Sequence, residues 1–92
     1  KKYLNNYTKY IIISRRKLSN GLMKLGYKTI ERGGNFVLVD FKKDREKVCG
    51  NLEKNNIEYK TLIRPLERYI RITVGIDKVM RHVLGIIANF KN

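Results

Sequence analysis

Arg64-Pro65-Leu66-Glu67-Arg68-Tyr69-Ile70-Arg71-Ile72-Thr73-Val74-Gly75 is the stretch on which the reading of this chain turns. Pro65 has no backbone N–H and a fixed φ, so a strand arriving through Ile57–Ile63 is limited there. From Tyr69 to Val74, β-branched and aromatic residues favour a pleated, half-buried strand, and Gly75 closes it. Alternation puts Ile70, Ile72 and Val74 on one face and Arg71 and Thr73 on the other. The apolar face belongs to a core. The other face carries an arginine that can point into a cleft, where its planar fork donates two parallel charge-assisted hydrogen bonds to a carboxylate or phosphate. Read bare, the same arginine also suits an exposed or structurally paired position.

Working outward, Tyr3, Tyr7, Tyr10-Ile11, Ser14, Leu18, Leu22 and Leu25 recur at helical spacing, and Gly26 stands where a C′ glycine stops a helix. Tyr27–Ile30 reads as a short strand. Glu31–Gly34 is a turn whose paired glycines permit positive φ, and Asn35–Phe41 is a longer buried strand. Asp44 is placed as an N-cap for a helix over residues 44–55, with Val48, Cys49 and Leu52 on its apolar side and Asn55-Asn56 at its end. After the two strands around Pro65, the residues Ile76, Val79-Met80, Val83-Leu84, Ile86-Ile87 and Phe90 mark an amphipathic terminal helix. The order α-β-β-α-β-β-α predicts an α+β fold, a small mainly antiparallel sheet of about four strands with helices packed mostly on one face.

With 92 residues the chain has room for one domain and one modest core. Neither disorder nor a membrane protein fits a hydrophobic share of 42%. The longest apolar runs, Ile11–Ile13 and Phe36–Val39, fall far short of the roughly 20 residues that span a bilayer. Residues 1–8 lack the apolar stretch and cleavage site of a secretory signal, and the first residue is not Met, so the chain is expected to be a piece of a longer one. The single cysteine, Cys49, has no partner for an internal disulfide and no ligand-spaced companion; it fits a buried helix face in a cytoplasmic protein. A formal charge of +13 raises nucleic acid or acidic surfaces as partners. Against that, the lysines are scattered as singlets and pairs, as on solvated faces.

Tyr69-Ile70-Arg71-Ile72-Thr73-Val74-Gly75 resembles the (L/I)R(I/V)(T/S)(V/I)G signature of histidinol-phosphate aminotransferases. Gly33-Gly34-Asn35-Phe36-Val37-Leu38-Val39 is similar to that family's strand opening on Asn-Phe. Leu25-Gly26-Tyr27 resembles its helix end, and Ile63-Arg64-Pro65-Leu66 resembles its VRPL motif. The four stand in the family's order over nearly the whole chain.

The resemblance implies the C-terminal small domain of a fold-type I aminotransferase dependent on pyridoxal phosphate, with residues 1–25 as a long linking helix and 26–92 as the small domain proper. It implies that Arg71 and Arg64 bind anionic groups of an amino-acid or phosphorylated keto substrate, with Asn35 at the mouth of the site. The cofactor and its Schiff-base lysine belong to the family's large domain, whose motifs are absent here, so the chain alone is expected to be inactive. The implied partners are that large domain and, in the full-length enzyme, a second subunit of a homodimer. Only Pro65–Ile70 separates the two arginines, where typical members have a longer, glycine-containing loop, a shortening expected to reshape the substrate pocket.

Two other classes compete. Arg32–Val39 overlays an RNA-recognition motif, but two of the positions that need aromatics hold Gly34 and Val39, which leaves Phe36 alone for stacking. A metal or acid–base enzyme has little to build on. His82 is the one histidine, and Asp44, Glu46 and Glu53 read as a solvated helix face. An exposed apolar patch of Tyr3, Tyr7 and Ile11–Ile13 is expected on the first helix, where another domain or subunit would pack.

Overall fold

A computed structural model describes residues 2–91, with side chains from Thr8 to Asn89. Helix α1 (Lys2–Lys24) leads into strands β1 (Lys28–Ile30) and β2 (Phe36–Asp40). A 3₁₀ turn at Lys42–Asp44 starts α2 (Arg45–Lys54); β3 (Tyr59–Thr61) and β4 (Tyr69–Thr73) follow, then α3 (Asp77–Lys91). The fold is α+β in the expected order, and the sheet is antiparallel throughout, with strand order β1-β2-β4-β3.

Local signals end the first two helices in the same way. Gly26 adopts φ 95°, and the N–H groups of Gly26 and Tyr27 donate to the carbonyls of Met23 and Leu22, closing a Schellman motif. Asn56, at φ 58°, does this for α2, where Asn56 and Ile57 donate to Glu53 and Leu52. The β1–β2 turn uses positive φ at Gly33 (79°) and Gly34 (68°), a region side chains resist. It is tied to α1 by Arg15, whose Nε meets Glu31 at 3.1 Å and whose Nη1 donates to the Gly34 carbonyl at 2.6 Å.

The helices cover one face of the sheet. Val37, Val39, Phe41, Ile70, Ile72 and Val74 pack there against Leu18 and Leu22 of α1, Val48 and Leu52 of α2, and Met80, Val83 and Ile87 of α3. Each fully buried side chain of this kind stabilises by roughly 1.5–3 kcal/mol before chain entropy is counted. The C-terminal part of α1 is thus built into this core, with Leu18 and Leu22 fully buried.

Three local expectations need correction. Asp44 occupies the N-cap position of α2 but makes no capping hydrogen bond, because the preceding 3₁₀ turn already holds it in a helical conformation. Its carboxylate instead accepts the Tyr27 hydroxyl at 2.8 Å. In the expected apolar patch on α1, Ile11 is buried, while Ile12 and Ile13 are exposed together with Tyr10. The side chains of Tyr3 and Tyr7 lie outside the described residues. Cys49 is only partly buried, packed against the edge of the core. No described helix is long and apolar enough to cross a membrane.

Candidate functional site

The face of the sheet that the helices leave open is fixed by register. Phe36, Leu38 and Asp40 of β2 alternate with the core residues Val37 and Val39, and their β4 partners are Thr73, Arg71 and Tyr69. Antiparallel partners share a face. Lys28 and Ile30 therefore join this surface from β1, opposite Asp40 and Leu38, and Lys60 joins it from β3, opposite Arg71. Ile30, Leu38, Arg71 and Lys60 form one row across all four strands.

Arg71 stands near the middle of this surface on an inner strand, half-buried. Its guanidinium carbon lies 5.4 Å from the centre of the Phe36 ring, on the diagonally neighbouring position of β2. Such a contact holds the flat cation without using its N–H donors. Among the described residues, Arg71 makes no ion pair and no hydrogen bond through its side chain. The other two arginines of the segment are engaged: Arg68 meets Asp40 at 3.0 Å and Arg64 meets Glu67 at 3.6 Å.

Arg64 and Asn35 lie off opposite ends of the β2–β4 pair. Arg64 is in the β3–β4 connection, beyond Tyr69 and Thr61, with its side chain 92% exposed. Asn35 precedes β2 at the other end, where its carbonyl accepts the Val74 N–H at 2.6 Å and its exposed side chain borders a recess with Ile11, Ile12 and Arg15. The five residues of β4 span about 14 Å at the usual strand rise. Among the described residues, no hydrogen bond or ion pair joins Arg64 or Asn35 to Arg71, and of the two arginines Arg71 is the one held against a ring.

Two features of this surface escape a linear reading. One is a clamp at Asp40: its nearly buried carboxylate takes Arg68 through Oδ2 and the Lys42 N–H through Oδ1 at 2.9 Å. That fastens the short β3–β4 connection over the end of the sheet. The other is Lys60, exposed and directly across from Arg71. The overlay on an RNA-recognition motif does not survive the geometry, since Gly34 lies in the turn and Val39 is fully buried toward the helices. His82 is exposed, and among the described residues no three His, Cys, Asp or Glu side chains gather as a metal site.

Every lysine whose side chain is described is exposed.

No protein-family model matches the sequence. Individual proteins do. Over 76 residues the chain is 36% identical to histidinol-phosphate aminotransferase 1 of Carboxydothermus hydrogenoformans, covering 83% of this chain and 22% of that protein. It is 30% identical over 69 residues to histidinol-phosphate aminotransferase of Thermotoga maritima, covering 74% of this chain and 19% of the relative. Its fold matches part of a Burkholderia pseudomallei protein described as an aminotransferase, with TM-score 0.77 and 25% identity over 91% of this chain and 26% of that one. It also matches part of histidinol-phosphate aminotransferase from Sinorhizobium meliloti, solved with pyridoxal-5'-phosphate, with TM-score 0.78 over 97% of this chain and 27% of that one; at 24% identity this likeness speaks for the fold.

Sequence and fold thus agree on a class: the chain is homologous to a part of fold-type I aminotransferases. Within that class its curated relatives are histidinol-phosphate aminotransferases, and it spans about a fifth of their length.

Proposed function

We propose that this chain is the small-domain part of a pyridoxal-phosphate-dependent aminotransferase of the histidinol-phosphate type, and that Arg71 receives an anionic group of its substrate. The observation that carries this reading is the state of Arg71: half-buried on the open sheet face, laid against Phe36, and without an acidic partner among the described residues. A carboxylate or phosphate arriving there meets a cation already positioned, so little side-chain entropy is lost on binding.

In this reading the cofactor supplies the amino-group transfer and is held, with its lysine, by a large domain to which this surface is apposed. Arg64 is a second, adjustable anion contact, and Asn35 shapes the entrance through its backbone bond to Val74. The first helical turns of α1 link the two domains, and the exposed Tyr10, Ile12 and Ile13 face the large domain or a second subunit. Alone, the chain binds substrate anions weakly and transfers no amino group.

Titrating inorganic phosphate into the chain while following backbone amide shifts tests this. Saturable shifts centred on residues 36–38 and 70–72, abolished by Arg71→Gln and weakened by salt, are expected. Shifts scattered over the helical face, unchanged by that substitution, would contradict it, and tight salt-steep binding of a short RNA would favour the nucleic-acid reading instead.

A further inference from the structure

We propose that Lys60 is a second cationic arm of the Arg71 site and makes it selective for a doubly charged phosphate over a singly charged carboxylate; this rests on the reading of Arg71 as an anion receiver. Lys60 and Arg71 are direct partners on β3 and β4, so their side chains leave the same face from Cβ atoms about 5 Å apart. Like charges placed directly opposite one another destabilise a sheet, and among the described residues neither side chain makes an ion pair, Glu58 two residues before Lys60 being exposed and paired with neither. The strand residues of the open face hold a single acid, Asp40. It sits one alternation away on β2 and is taken by Arg68 and the Lys42 N–H. Leu38, the other neighbour of Arg71, is apolar.

Two neighbouring cations that make no ion pair among the described residues are what a dianion would offset. Phe36 holds the Arg71 fork, which suits two oxygens of one group. Lys60, on an edge strand, brings a mobile point charge that can reach the same group from the side. A carboxylate offers two oxygens and one charge, and the Arg71 fork satisfies it alone. A phosphate monoester at neutral pH carries close to two charges and a third oxygen, which leaves work for the lysine.

The test compares the unaltered chain with Lys60→Gln and Arg71→Gln, titrated separately with inorganic phosphate and acetate at constant ionic strength, the affinities being read from amide shifts near residue 71. Lys60→Gln should weaken phosphate about fivefold and acetate less than twofold, the size of effect an exposed charge contributes. Phosphate affinity unchanged in Lys60→Gln but lost in Arg71→Gln overturns the role of Lys60 and leaves that of Arg71 standing. Indifference of phosphate binding to both substitutions, or no saturable phosphate shift in the unaltered chain, overturns both. Equal weakening of phosphate and acetate removes the selectivity claimed. Lys60 is exposed, so its substitution leaves the fold intact, which thermal unfolding of each variant checks.

Discussion

Replacing Asp40 by alanine should destabilise the fold by about 2 kcal/mol, and the contribution can be divided between its two contacts. The carboxylate side chain is 6% exposed and accepts both Arg68 and the backbone N–H of Lys42. Lys42 sits at φ 55°, a left-handed conformation costing roughly 1 kcal/mol for a residue with a Cβ, and the Asp40 bond helps hold it there. A hydrogen bond to a charged group contributes about 1.5–3 kcal/mol. Removing the buried charge also relieves its desolvation, which favours the lower end of that range. The Arg68 side chain is 67% exposed, so its ion pair contributes little, about 0.5 kcal/mol. Asp40→Ala should therefore lower Tm by about 8–16 °C, given a shift of roughly 4–8 °C per kcal/mol at this size. Asp40→Asn, which keeps an acceptor for Lys42, should lose about half as much, and Arg68→Ala no more than about 4 °C. Thermal unfolding followed by circular dichroism reads all three. An Arg68→Ala loss equal to that of Asp40→Ala would refute the division, because the ion pair and not the Lys42 bond would then be the dominant contact.

Further outcomes follow from titratable groups whose pKa the fold shifts. Burial and the bond to Asp44 raise the Tyr27 phenol above its usual range, and the bond to Glu53, with burial, pushes Tyr59 up to about 12. Tyrosine is neutral below its pKa, near 10 when unfolded, so both groups contribute stability that is fully present below about pH 10 and lost as pH rises through the folded values. Denaturant midpoints should decline from about pH 10 upward, and less steeply in Tyr27→Phe; identical slopes would contradict this. Burial, more than any charge, raises the Cys49 thiol. Iodoacetamide at pH 8 should accordingly alkylate the folded chain at least about tenfold more slowly than the unfolded one, and equal rates would show the thiol to be open.

The sequence made the elements legible because their ends are written in local chemistry. Gly26, Gly33-Gly34 and Asn56 occupy four of the five positive-φ positions among the described residues, Lys42 being the other, and the helical and strand periods on either side agree with them. The open face was half legible. Ile70-Arg71-Ile72-Thr73 alternates, so the side of β4 that carries Arg71 was evident. Phe36-Val37-Leu38-Val39-Asp40 does not, because β2 is an inner strand with both faces largely covered, and only its pairing with β4 shows that Phe36 and Leu38 flank Arg71. Lys60 and the Asp40 clamp depend on partners far along the chain, which no local period encodes. Asp44 stands at the expected N-cap position, but the 3₁₀ turn before it and the Tyr27 hydroxyl that takes its carboxylate, neither written in the local pattern, leave it without a capping bond.

The central claim, that this chain supplies the substrate-anion arginine of an aminotransferase, is tested most directly in a working enzyme. The segment of the Carboxydothermus hydrogenoformans enzyme that the chain matches over 76 residues can be replaced by this chain, and transamination of histidinol phosphate measured. An active chimera is expected, in which Arg71→Ala lowers kcat/KM about 100-fold while the bound-cofactor absorbance is unchanged, as loss of a desolvated charge contact requires. A folded, cofactor-loaded chimera whose activity is indifferent to Arg71→Ala would contradict the account.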